Sequence, residues 1–156
     1  MKIAVISYKR PGWKTLEYLL EEGVDRQDIT LFLHNELERR EYRRGQDLGG
    51  IKIEVTQARN VTEQRNAVLK WGADKRYVMM DDDVTGLLKL GEKVRFKETI
   101  ENMMRQLVKR EMSMFGLSPY YNIRFSRKMP EVRIGKYTGV GLFGISRYRT
   151  TLECSL

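Results

Sequence analysis

Three adjacent aspartates are the residues of this 156-residue sequence whose types and spacing point most directly to chemistry. Asp81, Asp82 and Asp83 directly follow an apolar run at 77–80 that is typical of a buried strand. Neighbouring carboxylates repel one another, so a strand end that keeps them is either solvated or neutralised by a cation. Because side chains alternate along a strand, we expect Asp81 and Asp83 on one face and Asp82 on the other. Such a pair suits Mg²⁺ or Mn²⁺, and an acidic turn that caps the next helix is the structural alternative.

Two enzyme classes that place acidic residues after an apolar strand fit poorly. P-loop NTPases need GxxxxGK[ST] upstream, and the chain has no such string. Haloacid dehalogenase-type phosphatases carry DxDxT, which residues 81–85 match literally. In that family, however, the motif ends the first strand and acidic metal ligands follow it. Here the motif ends the fourth expected strand and no aspartate follows Asp83, so both classes are disfavoured.

The elements that position the triplet alternate in type through residues 1–88. Short apolar, β-branched runs predict strands at 2–7, 29–34, 51–56 and 77–80. Helical spacing predicts helices over 13–22, 35–45 and 60–71, and Asn35 and Asn60 open capping boxes for the last two. Further along, a helix is expected at 97–112 and strands at 113–117 and 138–145. This order predicts an α/β fold with a mostly parallel sheet and helices on both faces.

Residues 64–84, QRNAVLKWGADKRYVMMDDDV, resemble the central signature of GT-A nucleotide-sugar glycosyltransferases. That signature has an Arg-Asn pair opening a helix, a glycine before a strand, and a DxD-type triplet. The loop at 7–11, SYKRP, also resembles the family's first nucleotide-contacting loop. The resemblance covers residues 1–88 and implies a GT-A, Rossmann-like sheet. In that fold the first and fourth strands are neighbours at a switch point, where α/β sheets bind ligands, so the loop and the triplet would share one cleft.

The resemblance implies a metal-dependent enzyme that moves a sugar from a nucleoside diphosphate sugar, with a UDP-sugar as the foremost donor, to an acceptor hydroxyl. It assigns Asp83, with Asp81, to Mn²⁺ or Mg²⁺, which would stabilise charge on the leaving diphosphate. The residues expected to contact the donor nucleotide are Ser7, Lys9, Arg10, His34, Asn35, Arg65, Asn66, Asp81 and Asp82. Guanidinium groups suit phosphate or a base edge. For Arg10 and His34, a surface salt bridge and a strand-end polar role remain open.

The net charge of +8 lies wholly in the second half, because residues 1–88 sum to zero and residues 89–156 to +8. Basic and aromatic side chains interleave there, and the candidate acceptor- or phosphate-binding residues are Tyr120, Tyr121, Arg124, Arg127, Lys128, Arg133 and Lys136. Lysine and arginine contact phosphates and aromatic rings stack on bases. Small glycosyltransferases of phage DNA with hydroxymethylated pyrimidines resemble the chain in size and charge, which implies a nucleic acid acceptor. A protein, a small molecule, a glycan or a lipid stays open as an alternative.

The second half offers few groups for acid–base chemistry. An inverting transferase needs a general base, and Glu131 is the candidate. The family's late histidine ligand has no match, since His34 is the sole histidine. Either the enzyme retains stereochemistry, or the single GT-A-like domain expected over 1–156, with its donor half at 1–88 and basic acceptor half at 89–156, is incomplete at its C-terminus. A nucleotidyltransferase and a noncatalytic nucleic-acid-binding module are the alternative functions.

The composition agrees with a globular domain outside the secretory route. The chain is 41% hydrophobic with a mean hydropathy of −0.53. Its one cysteine, Cys154, excludes an intrachain disulfide and fits a reducing compartment. We find no signal-peptide pattern and no apolar run near the ~20 residues of a membrane span. We therefore expect a cytoplasmic protein, in the host cytoplasm if the source is viral.

Overall fold

The computed structural model describes residues 1–10, 12–89, 92–112, 114–117 and 142–145. Its strands are β1 Lys2–Ile6, β2 Ile29–Leu33, β3 Lys52–Val55, β4 Tyr77–Asp81, β5 Leu87–Lys89, β6 Glu92–Val94, β7 Met114–Gly116 and β8 Leu142–Ile145. Its α-helices are α1 Lys14–Glu21, α2 Glu36–Gly45, α3 Val61–Trp71 and α4 Phe96–Lys109, and a short 3₁₀ helix covers Arg26–Asp28.

The main sheet has the strand order β3-β2-β1-β4-β8-β7. The first four strands of this order are parallel, while β8 runs antiparallel to both β4 and β7. The chain leaves β1 toward β2 and β3 and then returns to place β4 on the other side of β1, so the order reverses between β1 and β4. This confirms the expected α/β fold, and the first and fourth strands are neighbours as the resemblance implied.

Helices cover both faces of the sheet, as predicted, but unequally. One core cluster packs α1, α2 and α4, through Leu19, Tyr42 and Ile100, against the strand face that carries Val5 and Leu31. The opposite cluster packs α3, through Val68 and Leu69, against the face of Ala4, Phe32 and Met79. Strands β1, β2 and β4 are therefore buried on both faces, which explains why their sequences are apolar runs and not alternating patterns.

Two asparagines begin helices by the same device. Asn35 accepts a hydrogen bond from the Glu38 N–H, and Asn60 accepts one from the Glu63 N–H, each at 2.9 Å. The expected capping boxes are confirmed with one difference. Each glutamate reaches back to the N–H of the residue before the cap, namely His34 and Arg59. The two helix starts are thereby tied to the ends of the preceding segments, which line the cleft described below.

Several elements differ from the expectations drawn from the sequence. The β5–β6 hairpin was not predicted, and its strands are only three residues long. In α2, most of whose residues are charged, Tyr42 is nevertheless fully buried, because one turn of the helix faces the sheet. The helix expected at 97–112 runs from Phe96 to Lys109, and the last expected strand is described only over Leu142–Ile145. Among the described residues, no helix is long and apolar enough to cross a membrane.

Candidate functional site

A cleft of about 370 Å³ opens where β1, β2 and β4 end. The register places Ile6 beside Asp81, so the loop after β1 and the acidic triplet meet at this edge of the sheet. Seven of the residues predicted to bind donor or metal line the cleft, namely Ser7, Arg10, His34, Arg65, Asp81, Asp82 and Asp83. The cleft therefore lies at the switch point, where open α/β sheets bind ligands.

Asp81 ends β4 and pairs with a cation from α3. Its carboxylate accepts hydrogen bonds from the Arg65 Nη2 at 3.0 and 3.4 Å. Burial raises the pKa of Asp81, and the Arg65 guanidinium opposes this rise. The Asp81 side chain keeps 26% of its surface exposed, so one edge of the pair still faces the cleft.

Asp82 is the buried member of the triplet and ends a directional chain of hydrogen bonds. A carboxylate only accepts, so the Ser7 hydroxyl donates to it and must itself accept from the Tyr42 hydroxyl at 2.5 Å. The Tyr42 oxygen in turn accepts the Arg10 backbone N–H at 2.8 Å. Every donor in the chain thus points toward the Asp82 charge, and such aligned bonds strengthen one another in a low-dielectric interior.

Asp83 is the exposed member, with 65% of its side chain accessible. Arg10 Nη1 lies 3.2 Å from an oxygen of Asp82 and 3.2 Å from an oxygen of Asp83, so one nitrogen bridges both carboxylates. The expected strict alternation of the triplet is therefore wrong at its end. The strand stops at Asp81, and residues 82 and 83 form a turn, where the two-residue period of a strand no longer applies.

Thr15 holds the backbone of the triplet. Its hydroxyl donates to the Asp81 carbonyl oxygen at 2.8 Å and accepts the Val84 N–H at 2.8 Å. Its own N–H donates to the Asp82 carbonyl oxygen at 3.3 Å. A fully buried threonine in the first turn of α1 thereby fixes the path of the chain on both sides of the acidic turn.

A buried glutamine sets the proton position on the single histidine. The Gln64 Nε2 donates to the carbonyl oxygens of Ser7 at 3.2 Å and Phe32 at 2.8 Å, which can only accept. Its Oε1 therefore faces His34 Nε2, at 3.0 Å, and that nitrogen must carry a proton. In neutral His34, Nδ1 is then the lone-pair nitrogen. The Tyr8 ring covers the imidazole at a centroid distance of 4.5 Å.

Three predicted donor residues do not line the cleft. Lys9 is exposed, has a left-handed backbone with φ of 53°, and places its ammonium group 5.0 Å from the Tyr8 ring centroid. The Asn35 side-chain oxygen caps α2. Asn66 is half-buried on α3 beside Arg65. The positive φ of Lys9 is uncommon for a non-glycine residue, and such residues often lie in functional loops.

The carboxylates suit a hard divalent cation that also binds phosphate. Within the described part of the chain, no group of three or more His, Cys, Asp or Glu residues is arranged to hold a metal ion. Mg²⁺ in phosphate sites uses only one or two carboxylates and completes its shell with phosphate oxygens and water. Exposed Asp83 and partly exposed Asp81 fit that mode, whereas buried Asp82, bonded to Ser7 and Arg10, does not.

The basic half is largely outside the described residues. The candidate base Glu131 lies outside the described residues. So do all seven predicted acceptor-side residues, namely Tyr120, Tyr121, Arg124, Arg127, Lys128, Arg133 and Lys136. These assignments stay predictions.

Four residues that shape the cleft were missed from the sequence, namely Tyr8, Thr15, Tyr42 and Gln64. Three of them are almost fully buried polar residues within helices. Only for Tyr42 could this burial have been predicted from the sequence. A single aromatic residue in a helix of mostly charged residues indicates the face that packs against the core.

No protein-family model matches the chain, and no curated protein matches it significantly. The interpretation of the site therefore stands on its geometry.

Proposed function

We propose that the chain is a metal-dependent glycosyltransferase of GT-A type that moves a sugar from a nucleoside diphosphate sugar to an acceptor hydroxyl. The observation that carries this proposal is the meeting of three carboxylates and two arginines in one cleft at the switch point between β1 and β4. A diphosphate requires both positive side chains and a cation site, and this cleft offers both within one ion-paired cluster.

Each charged residue has a distinct task in this proposal. Asp83 and Asp81 would hold Mg²⁺ or Mn²⁺, which when bound supplies positive charge to the diphosphate of the donor and of the departing nucleoside diphosphate. Arg65 and Arg10 would bind phosphate oxygens, since guanidinium groups bind phosphate through paired hydrogen bonds. Asp82 would not contact the metal or the diphosphate, and its role would be to position Arg10 through the hydrogen bond from Arg10 Nη1.

The remaining walls of the cleft suit a nucleoside. Tyr8 is half exposed over His34, and Val61 is half exposed at the start of α3. An exposed aromatic ring and an apolar side chain are the surfaces on which a planar base packs. With the donor in this cleft, the acceptor hydroxyl would approach from the basic second half, and a hydroxymethylated pyrimidine in DNA is our candidate acceptor.

Nucleotide binding tests the donor half of the proposal. Wild-type protein is titrated by calorimetry with UDP, GDP, CDP and ADP, each with and without Mn²⁺. We expect at least one to bind, with affinity that falls when EDTA removes the metal. Asp83→Asn should weaken metal-dependent binding by about tenfold or more, the scale on which metal sites respond to a lost partner. Asp74→Asn, an exposed aspartate in the turn after α3, is the matched control and should match wild type.

The proposal is refuted if no nucleotide binds or if Asp83→Asn binds as tightly as wild type. If a nucleotide does bind, an assay for slow hydrolysis of the nucleotide-sugar donor distinguishes an enzyme from a noncatalytic binding module. Salt-dependent DNA binding without release of nucleoside diphosphate would favour the noncatalytic alternative.

A further inference from the structure

Arg10 lies between a carboxylate oxygen of Asp82 and a carboxylate oxygen of Asp83. Its Nη1 lies 3.2 Å from an oxygen of Asp82 and 3.2 Å from an oxygen of Asp83, and its side chain lines the cleft with 62% of its surface exposed. It therefore neutralises the most exposed carboxylate of the triplet. Any cation that approaches Asp83 also approaches this guanidinium group.

The position of Arg10 is fixed from two sides. Its backbone N–H donates to the Tyr42 hydroxyl, and its guanidinium group is held by Asp82, a carboxylate that is itself locked by Ser7. Tyr42, Ser7 and Asp82 are all buried. Arg10 would thus stay attached to Asp82 even if its bond to the exposed Asp83 were released.

The guanidinium group still has donors to offer. Its bonds to described residues use Nη1 alone, whereas a guanidinium group carries five N–H donors. No described residue binds Nε or Nη2, so within the described part of the chain these donors are available for an anion. The same charge that repels a free metal ion therefore attracts a phosphate group at the same rim of the cleft.

We propose that Arg10 couples metal binding to diphosphate binding. Without nucleotide, Arg10 screens Asp83 and keeps the affinity for a free divalent cation low. With nucleotide, the diphosphate takes the free donors of Arg10, Asp83 is released to the cation, and the two ligands bind together. This inference rests on the proposed function and assigns Arg10 the role of a positioning and phosphate-binding residue.

The test measures two affinities of the protein. The affinity for Mn²⁺ alone is measured from the electron paramagnetic resonance signal of free Mn²⁺. The affinity for the complex of Mn²⁺ with UDP, or with the tightest binder among ADP, CDP and GDP, is measured by calorimetry. Arg10→Gln should bind Mn²⁺ alone about three- to tenfold more tightly, because a repelling unit charge a few ångströms away is removed in a solvent-screened site. The same variant should bind the Mn²⁺–nucleotide complex about tenfold or more weakly, because a charge-assisted contact is lost. Opposite shifts in one variant are the signature of coupling.

Two further variants separate charge from shape. Arg10→Lys keeps the charge but loses the planar fork, so its affinity for Mn²⁺ alone should match wild type while its affinity for the complex falls less than in Arg10→Gln. Arg26→Gln removes an arginine at the opposite end of β2, where it pairs with Asp47, and should leave both affinities unchanged.

The outcomes distinguish this inference from the proposed function. If wild type binds none of the four Mn²⁺–nucleotide complexes, the function fails and the inference with it. If wild type binds but Arg10→Gln weakens both affinities, or leaves the affinity for Mn²⁺ alone unchanged, only the coupling role is overturned. If Arg10→Gln does not fold, Arg10→Lys decides, because unweakened binding of the complex by that variant would overturn the role.

Discussion

The hydrogen-bond chain that ends on Asp82 predicts a large, non-additive loss of stability when its central hydroxyl is removed. Ser7 is 3% exposed and Asp82 is 6% exposed, so water does not readily replace a lost bond. Ser7→Ala removes one of the two hydrogen bonds that the carboxylate receives from described side chains. It also removes the acceptor of the Tyr42 hydroxyl.

The expected magnitude follows from these two losses. A hydrogen bond to a charged group contributes about 1.5–3 kcal/mol, and a buried donor left unpaired costs about 1–3 kcal/mol. Allowing for local rearrangement, we expect Ser7→Ala to lower the free energy of unfolding by about 2–4 kcal/mol. Tyr42→Phe removes two neutral hydrogen bonds, to Ser7 and to the Arg10 N–H, and should cost about 1–3 kcal/mol.

Urea unfolding of wild type, both single variants and the double variant measures these terms. The double variant should be more stable than the sum of the single effects predicts, by about 0.5–3 kcal/mol, because both changes break the same chain. Tyr8→Phe is the control for removing a tyrosine hydroxyl. Tyr8 is half exposed, so its variant should stay within about 0.5 kcal/mol of wild type.

An additive cycle would show that Ser7 and Tyr42 do not act in one chain. A Ser7→Ala variant within about 0.5 kcal/mol of wild type would show that Ser7 does not hold Asp82. Ser7 would then be free to act as the direct nucleotide contact that the resemblance implied.

Three further predictions concern other parts of the fold. Gly72→Ala should cost about 1–3 kcal/mol in urea unfolding, because a Cβ there would lie 2.0 Å from the Tyr77 ring, and full stability would contradict this packing. The hydrogen bond from Lys2 lowers the pKa of Asp28, so its stabilisation is complete above the ordinary aspartate pKa of about 3.9 and is lost as pH falls through the lowered value. Asp28→Asn should therefore show a shallower loss of stability with acid, and an unchanged slope would exclude this contribution. Long-range ¹⁵N NMR of the single histidine should show neutral His34 protonated on Nε2, and a proton on Nδ1 would reverse the assigned hydrogen bonds.

Much of the fold could be predicted because local patterns and tertiary packing agree. Three of the four parallel strands, β1, β2 and β4, are mostly apolar runs, and both asparagine caps bind the N–H groups that their spacing indicated. The pairing of the first and fourth strands followed only from the resemblance, and the rest of the strand order was not predicted, since strand periodicity carries no information on neighbours. The β5–β6 hairpin was missed because three-residue strands are too short to show a period.

The site was predictable in location and less so in the task of each residue. Sequence spacing brought Asp81–Asp83 to the end of β4, and alternation suggested two equivalent cation ligands. The structure instead gives the three carboxylates three environments: Asp81 is partly buried against Arg65, Asp82 is buried against Ser7, and Asp83 is exposed beside Arg10. These partners come from the loop after β1 and from α3, at separations of 16 to 75 residues, and no local pattern encodes such pairings.

That division of environments bears directly on how the triplet would act. An unpaired Asp81 and Asp83 on one face, as strand alternation suggests, would bind a cation without help. With Asp82 committed to the interior and both outer carboxylates paired with arginines, the cleft is already near local neutrality. A divalent cation would then add charge that only an anionic ligand can offset. The electrostatics of the cleft therefore favour a cation and a diphosphate together over either one alone.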